Sequence, residues 1–214
     1  MHREKIVTKI IESGIVAVIR LKEKEKLLDI INSLSRGGIS AMEITMTTPH
    51  AVEIIKDFSQ QIGDNFILGA GTVLDSETAR AVILAGAQFV VSPVTNLDMI
   101  KTVHRYDKAV FPGAFTPTEI LNAWENGADI VKVFPATALG PQFFKDVHGP
   151  LPHVRLTPTG GVSLENAGEF ISCGASCLGV GTALLNKKMI ENSDWNALTE
   201  NTKKFVGEVQ KARS

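Results

Sequence analysis

Lys132 stands inside the run "ADIVKVFPAT" (128–137), between Val131 and Val133, where the pattern otherwise asks for a buried strand. An ammonium group is rarely buried whole unless it is paired or loses its charge. The bland explanation is an edge strand whose lysine snorkels to water. Other polar residues sit in comparable places: Glu43 within "AMEIT", Arg20 at the end of "IVAVIR" and Thr72 at the end of "FILGAGT". Desolvation lowers a lysine pKa, and a nearby cation such as Arg20 pushes the same way. The neutral amine then condenses with a ketone or aldehyde to a Schiff base. The iminium accepts the electron pair released when a carbon–carbon bond β to it breaks. Glu43 suits the proton traffic of such a step. Arg20 offers a fork for a substrate carboxylate, and Thr72 a hydroxyl for the same group. Two glycine-rich segments, "TPTGGVS" (157–163) and "GVGTALL" (179–185), add Gly160, Gly161, Gly181 and Thr182 as a phosphate cradle of backbone N–H groups. The plainer reading of those glycines is tight turns.

These residues need elements to converge them. Apolar, β-branched runs recur at 15–20, 40–45, 66–72, 88–93, 109–114, 129–135, 154–159 and 177–181. Helical patterns separate them, as in 50–63, where Ala51, Ile54, Ile55, Phe58 and Ile62 share a face. Gly38, Gly63, Gly86, Gly127 and Gly174 read as helix stops, and Asp75–Ser76, Thr116 and Ser163 as starts. Eight strand–helix units without a linker predict a single-domain (β/α)8 barrel over residues 1–214, opened by an N-terminal amphipathic helix. A doubly wound sheet fits less well, because "VIRLKEKEK" after the first strand carries no glycine-rich nucleotide loop. Strand alternation then aims Lys132 with Ile130 and Phe134 into the barrel. Glu43 points inward with Ala41 and Thr45, Arg20 with Val16 and Val18, Thr72 with Leu68 and Ala70, and Thr157 with Thr159. Catalytic groups of such barrels collect at the C-terminal ends of the strands, and phosphates after strands seven and eight.

The bulk properties narrow the function further. A net charge of −1 offers no basic field for nucleic acid. No apolar run approaches the length of a membrane span, and the N-terminus lacks a secretory signal. Cys173 and Cys177 read as inert thiols in a reducing, cytoplasmic setting. His2, His50, His104, His148 and His153 make no ligand spacing, so no metal site and no cofactor are expected. Trp124 and Trp195 read as packing residues. The residues fit a Schiff-base lyase, a phosphosugar isomerase or decarboxylase without a covalent lysine, and a phosphate-binding barrel without catalysis.

From "IVAVIR" through "MEITMTTP", "GAGTV", "VSP", "FPGAFTPTE", "VKVFPA" and "TPTGGV" to "GVGTALL", the chain resembles the 2-keto-3-deoxy-6-phosphogluconate aldolase family, which includes 4-hydroxy-2-oxoglutarate aldolases. The resemblance implies a metal-independent class I aldolase on a (β/α)8 barrel, a homotrimer acting on a phosphorylated keto acid. It implies Lys132 as the Schiff-base lysine, Glu43 as acid/base, Thr72 as a pyruvate-site residue and Pro93 and Phe134 as that site's walls. Gly160, Gly161, Gly181 and Thr182 would hold the phosphate. Some members carry an arginine four residues after the glutamate; here Thr47 occupies that place. The carboxylate role moves to Arg20, as in members whose first strand ends in arginine, including a phosphogalactonate branch. Thr159 resembles the gluconate branch, favouring 2-dehydro-3-deoxy-6-phosphogluconate as substrate, with the galactonate epimer and 4-hydroxy-2-oxoglutarate as alternatives.

Overall fold

In the computed structural model, which describes residues 2–20, 24–63 and 66–214, short runs of Val, Ile, Leu and Ala form parallel strands. They are β1 (Ile15–Ile19), β2 (Ala41–Thr45), β3 (Ile67–Gly71), β4 (Phe89–Val91), β5 (Ala109–Phe111), β6 (Gly113–Ala114), β7 (Val131–Val133), β8 (Leu156–Pro158) and β9 (Leu178–Val180). One sheet runs β5-β4-β3-β2-β1-β9 and the other β6-β7-β8. Only Pro112 separates β5 from β6, so the two are pieces of one stave, and the Lys132 N–H donates to the Pro112 carbonyl at 2.9 Å. A bridge between Thr159 and Gly179 joins the other end of the small sheet to β9. The sheet thus curls round into a TIM-like α/β barrel.

Helices α1 (Arg3–Ser13), α2 (Leu27–Arg36), α3 (Ala51–Ser59), α4 (Ser76–Leu84) and α5 (Leu97–Arg105) accompany the first half. The second half carries α6 (Pro117–Glu125), α7 (Gly140–His148), α8 (Ala167–Ser172), α9 (Lys187–Glu191) and α10 (Trp195–Arg213). Asp75 caps α4 through a 2.6 Å bond from the Thr78 N–H. Thr116 and Glu119 form a reciprocal capping box on α6. Gly38, Gly86, Gly127 and Gly174 take positive φ after their helices, as a left-handed stop requires. Gly63 does not, because α3 has already ended at Ser59. Ser163 does not cap α8 either. The helix begins at Ala167, and the Asn166 side chain instead accepts from the Ser163 N–H at 2.8 Å.

Two apolar layers result. Ile15, Ala17, Met42, Ile44, Val131, Val133 and Leu156 pack outward against helices. Val16, Ala41, Ile67, Phe89, Phe111, Ile130 and Cys177 fill the interior, where α1 plugs the floor with Ile6, Val7 and Ile10. Trp124 and Trp195 pack, partly buried, against the outer layer. Among the described residues no helix is long and apolar enough to cross a membrane.

The alternation expected for β2, β7 and β8 holds, and that for β3 is reversed. Leu68 and Ala70 face the helices, while Ile67 faces the interior. Gly69 and Gly71 therefore point inward. A Cβ on Gly69 would strike the Phe89 ring, and one on Gly71 the Glu43 carboxyl. The barrel uses absent side chains in β3 to seat large or charged ones from its neighbours.

Candidate active site

Lys132 lies mid-β7 with 4% of its surface exposed, and Glu43 mid-β2 with 2%. Val131 and Val133 pack on helices, so strand parity leaves Lys132 no direction but inward. No hydrogen bond or close ion pair joins the two groups among the described residues, yet each feels the other's charge. Burial lowers the Lys132 pKa, Glu43 opposes that fall, and Arg20 adds to it. Burial raises the Glu43 pKa, against the pull of Lys132 and Arg20. Both directions favour uncharged partners: a free amine beside a protonated acid. The Lys132 Nζ also sits 5.0 Å from the centroid of the Phe134 ring.

Phe134 itself is not buried in the strand as the apolar run suggested. It follows β7, is 37% exposed and lies at the mouth of the barrel. Arg20 likewise follows β1 and is exposed, while its charge still reaches both Lys132 and Glu43. Its guanidinium makes no hydrogen bond to a described residue, and it lines a cavity of about 240 Å³ with Val18, Lys26, Gly181, Thr182 and Lys187. Neither Lys132 nor Glu43 lines this cavity, which joins the Arg20 position to the loop after β9. Thr72 leaves β3 with φ 59°, so a turn in the backbone, not strand alternation, sets where its hydroxyl points. Pro93 is half-buried after β4, its backbone pressed against Gly113, where a Cβ would collide with it. Thr47 is exposed, and its hydroxyl is 2.8 Å from that of buried Thr45.

The loop after β8 is shaped by two left-handed glycines, Gly160 (φ 88°) and Gly161 (φ 75°). Asn166 holds it by donating to the Gly161 carbonyl at 2.9 Å. The N–H groups of Gly160, Gly161 and Thr182 donate to no acceptor among the described residues. Thr159 sits at the root of this loop. Its N–H donates to the Val133 carbonyl at 3.0 Å, and its own carbonyl accepts from Ala136 at 2.9 Å. Its Oγ1 lies against Gly179, which has no side chain to oppose it.

A family profile described as "Aldolase: KDPG and KHG aldolase" matches residues 6–201. The chain belongs to this family. The KDPG/KHG aldolases are lyases of the class I type, and relatives agree with the assignment. The 2-dehydro-3-deoxy-phosphogluconate aldolase of Pseudomonas aeruginosa is 35% identical, over 86% of this chain and 84% of that protein. The 2-dehydro-3-deoxy-6-phosphogalactonate aldolase of Escherichia coli is 32% identical, over 79% of this chain and 83% of that protein. The solved KDPG aldolase of Legionella pneumophila, with pyruvate captured as a covalent carbinolamine, superposes with a TM-score of 0.85. It is 29% identical, over 92% of this chain and 96% of that one.

Two residues of the candidate site were not assigned roles from the sequence. Gly71 leaves the space the Glu43 carboxyl occupies, and a glycine at the end of a strand was the signal for it. Thr137 borders the glycine loop, with its Oγ1 2.8 Å from where a Gly161 Cβ would stand. Nothing in its sequence context marks it.

Proposed function

We propose that the chain cleaves 2-dehydro-3-deoxy-6-phosphogluconate to pyruvate and D-glyceraldehyde 3-phosphate. The observation that carries this reading is the buried Lys132, held toward its neutral form beside a buried carboxyl that is held toward its acid form. The Lys132 amine adds to the C2 ketone, and Glu43 gives its proton to the departing water, leaving an iminium beside a carboxylate. Glu43 takes the C4 hydroxyl proton as C3–C4 breaks, and the electron pair moves into the iminium as an enamine. The aldehyde departs, C3 is protonated and water releases pyruvate. Arg20 pairs with the substrate carboxylate, helped by Thr72 and Thr47, while Pro93 and Phe134 wall the keto acid. The free N–H groups of Gly160, Gly161 and the 181–182 turn, with the Thr182 hydroxyl, bind the phosphate. Thr159 reads the configuration at C4. The shorter 4-hydroxy-2-oxoglutarate, yielding pyruvate and glyoxylate, is a slower substrate because it leaves the phosphate cradle empty.

Three copies assemble around an exposed apolar rim. Leu74, Val94, Leu97 and Phe115 are each more than a third exposed, on the loops after β3, β4 and β6 and at the start of α5. Bonds from Asn96 to the Leu74 carbonyl (3.1 Å) and from Thr95 to the Gly113 carbonyl (2.9 Å) hold these loops together. The two free thiols fit the cytoplasm. Measuring pyruvate and triose phosphate release by coupled reduction from the gluconate and galactonate epimers tests the substrate assignment. Faster turnover of the gluconate epimer is expected. Preference for the galactonate epimer, or no cleavage of either, overturns it.

A further inference from the structure

Thr157 on β8 stands in register with Lys132 on β7, so its side chain enters the barrel beside the root of the lysine. It is 4% exposed, and its Oγ1 has no hydrogen-bond partner among the described residues. Just before β9 the Cys177 thiol feels the hydroxyl without reaching hydrogen-bond geometry, and burial pushes that thiol up to about 11, so it stays uncharged at neutral pH. The layer around them is apolar: Ile130, Val16, Ala41 and Phe111. An unbonded hydroxyl in such a place destabilises the fold, and a valine of the same shape carries no such penalty. The position is therefore unfavourable for the fold, and it adjoins Lys132 across the β7–β8 pairing.

The Schiff-base reading, on which this step rests, supplies a partner. Condensation joins the Lys132 nitrogen to C2, expels the ketone oxygen as water and leaves an iminium with a single N–H. That N–H is a buried donor and needs an acceptor. The Phe134 ring meets its charge but offers no oxygen. The Glu43 carboxyl from β2 is engaged with the substrate's protons, and Arg20 at the end of β1 is itself a cation. We propose that Thr157 is a positioning residue whose Oγ1 accepts the hydrogen bond of the Lys132 Schiff-base N–H and so fixes the rotation of the adduct relative to Glu43. The hydroxyl is idle in the free enzyme and bonded in the covalent adduct.

The test is Thr157→Val, with Thr157→Ser and Thr157→Ala beside it. Borohydride trapping is titrated with pyruvate, and melting temperature is measured in parallel. In Thr157→Val the pyruvate concentration for half-maximal trapping should rise about tenfold, or about 1.4 kcal/mol, while the melting temperature stays level or rises. Thr157→Ser should trap as wild type does. A more stable valine variant with an unchanged titration would show a tolerated burial defect and overturn the proposal. If the valine variant does not fold, serine and alanine decide: alanine weakened and serine native supports the bond, and equal titrations overturn it. A wild-type protein that pyruvate and borohydride do not label would instead remove the Schiff-base reading itself.

Discussion

Gly71→Ala separates the proton-transfer group from the covalent one without touching either. Gly71 ends β3 in register with Thr45, the Glu43 carboxyl reaches over it, and its φ lies outside the left-handed region, so alanine suits the backbone. The added Cβ would collide with the Glu43 Oε1 and lie 2.7 Å from Cδ, against an ordinary contact of at least 3.4 Å. The carboxyl must therefore retreat by about 0.7 Å or more. It is the free end of a flexible side chain, so yielding costs about 0.5–1.5 kcal/mol in rotamer strain. The loss of a strand glycine returns about 0.5–1 kcal/mol. Stability should then change by less than about 1 kcal/mol, or about 2–4 °C in melting temperature. Catalysis is more sensitive, because a displacement of about 1 Å costs up to about 100-fold, or about 2.7 kcal/mol in barrier. The assay pairs kcat for cleavage with exchange of the pyruvate methyl protons followed by NMR. Both should fall about 10- to 100-fold, while borohydride trapping of Lys132 stays at the wild-type level. Full activity in a variant that melts normally would refute the need for the carboxyl at this place. Equal loss of trapping would mean that the wedge acts through Lys132.

Gly161→Ala should raise KM for phosphorylated substrate at least about tenfold with little change in pyruvate trapping, since φ 75° disfavours a side chain and the Cβ would press on Thr137; equal weakening of both ligands would remove the loop from phosphate binding. Glu43→Gln should change the pH dependence of stability. A carboxyl whose folded pKa is raised by burial stabilises most below its unfolded value and loses that contribution as pH rises through the folded value. Wild type should therefore lose ground to Glu43→Gln in urea midpoints as pH rises from the ordinary carboxyl range through neutrality. A constant difference across that window would contradict the burial argument.

Residues whose strand shows contrast between its faces were legible in advance. In β7, Val131 and Val133 on one side of Lys132 leave no doubt about direction, and Met42 and Ile44 do the same for Glu43. β3 has no such contrast. Ile67, Leu68 and Ala70 are apolar on both faces, and the decisive residues, Gly69 and Gly71, announce themselves only through the atoms they admit. Residues past the strand ends escaped alternation altogether. Thr72 turns with a positive φ, while Arg20 and Phe134 swing to the exposed mouth once the ladder stops. The helix ends at Gly38, Gly86, Gly127 and Gly174 were readable because left-handed backbone selects glycine; Gly63 shows that a glycine after a helix need not be its stop.

The most direct measurement of the central claim is mass spectrometry of the protein reduced with borohydride in the presence of pyruvate. A single adduct, the amine carrying one carboxyethyl group, should appear on the peptide containing Lys132 and vanish in Lys132→Ala. An unlabelled Lys132 in a protein that still cleaves the substrate would contradict covalent catalysis by this residue.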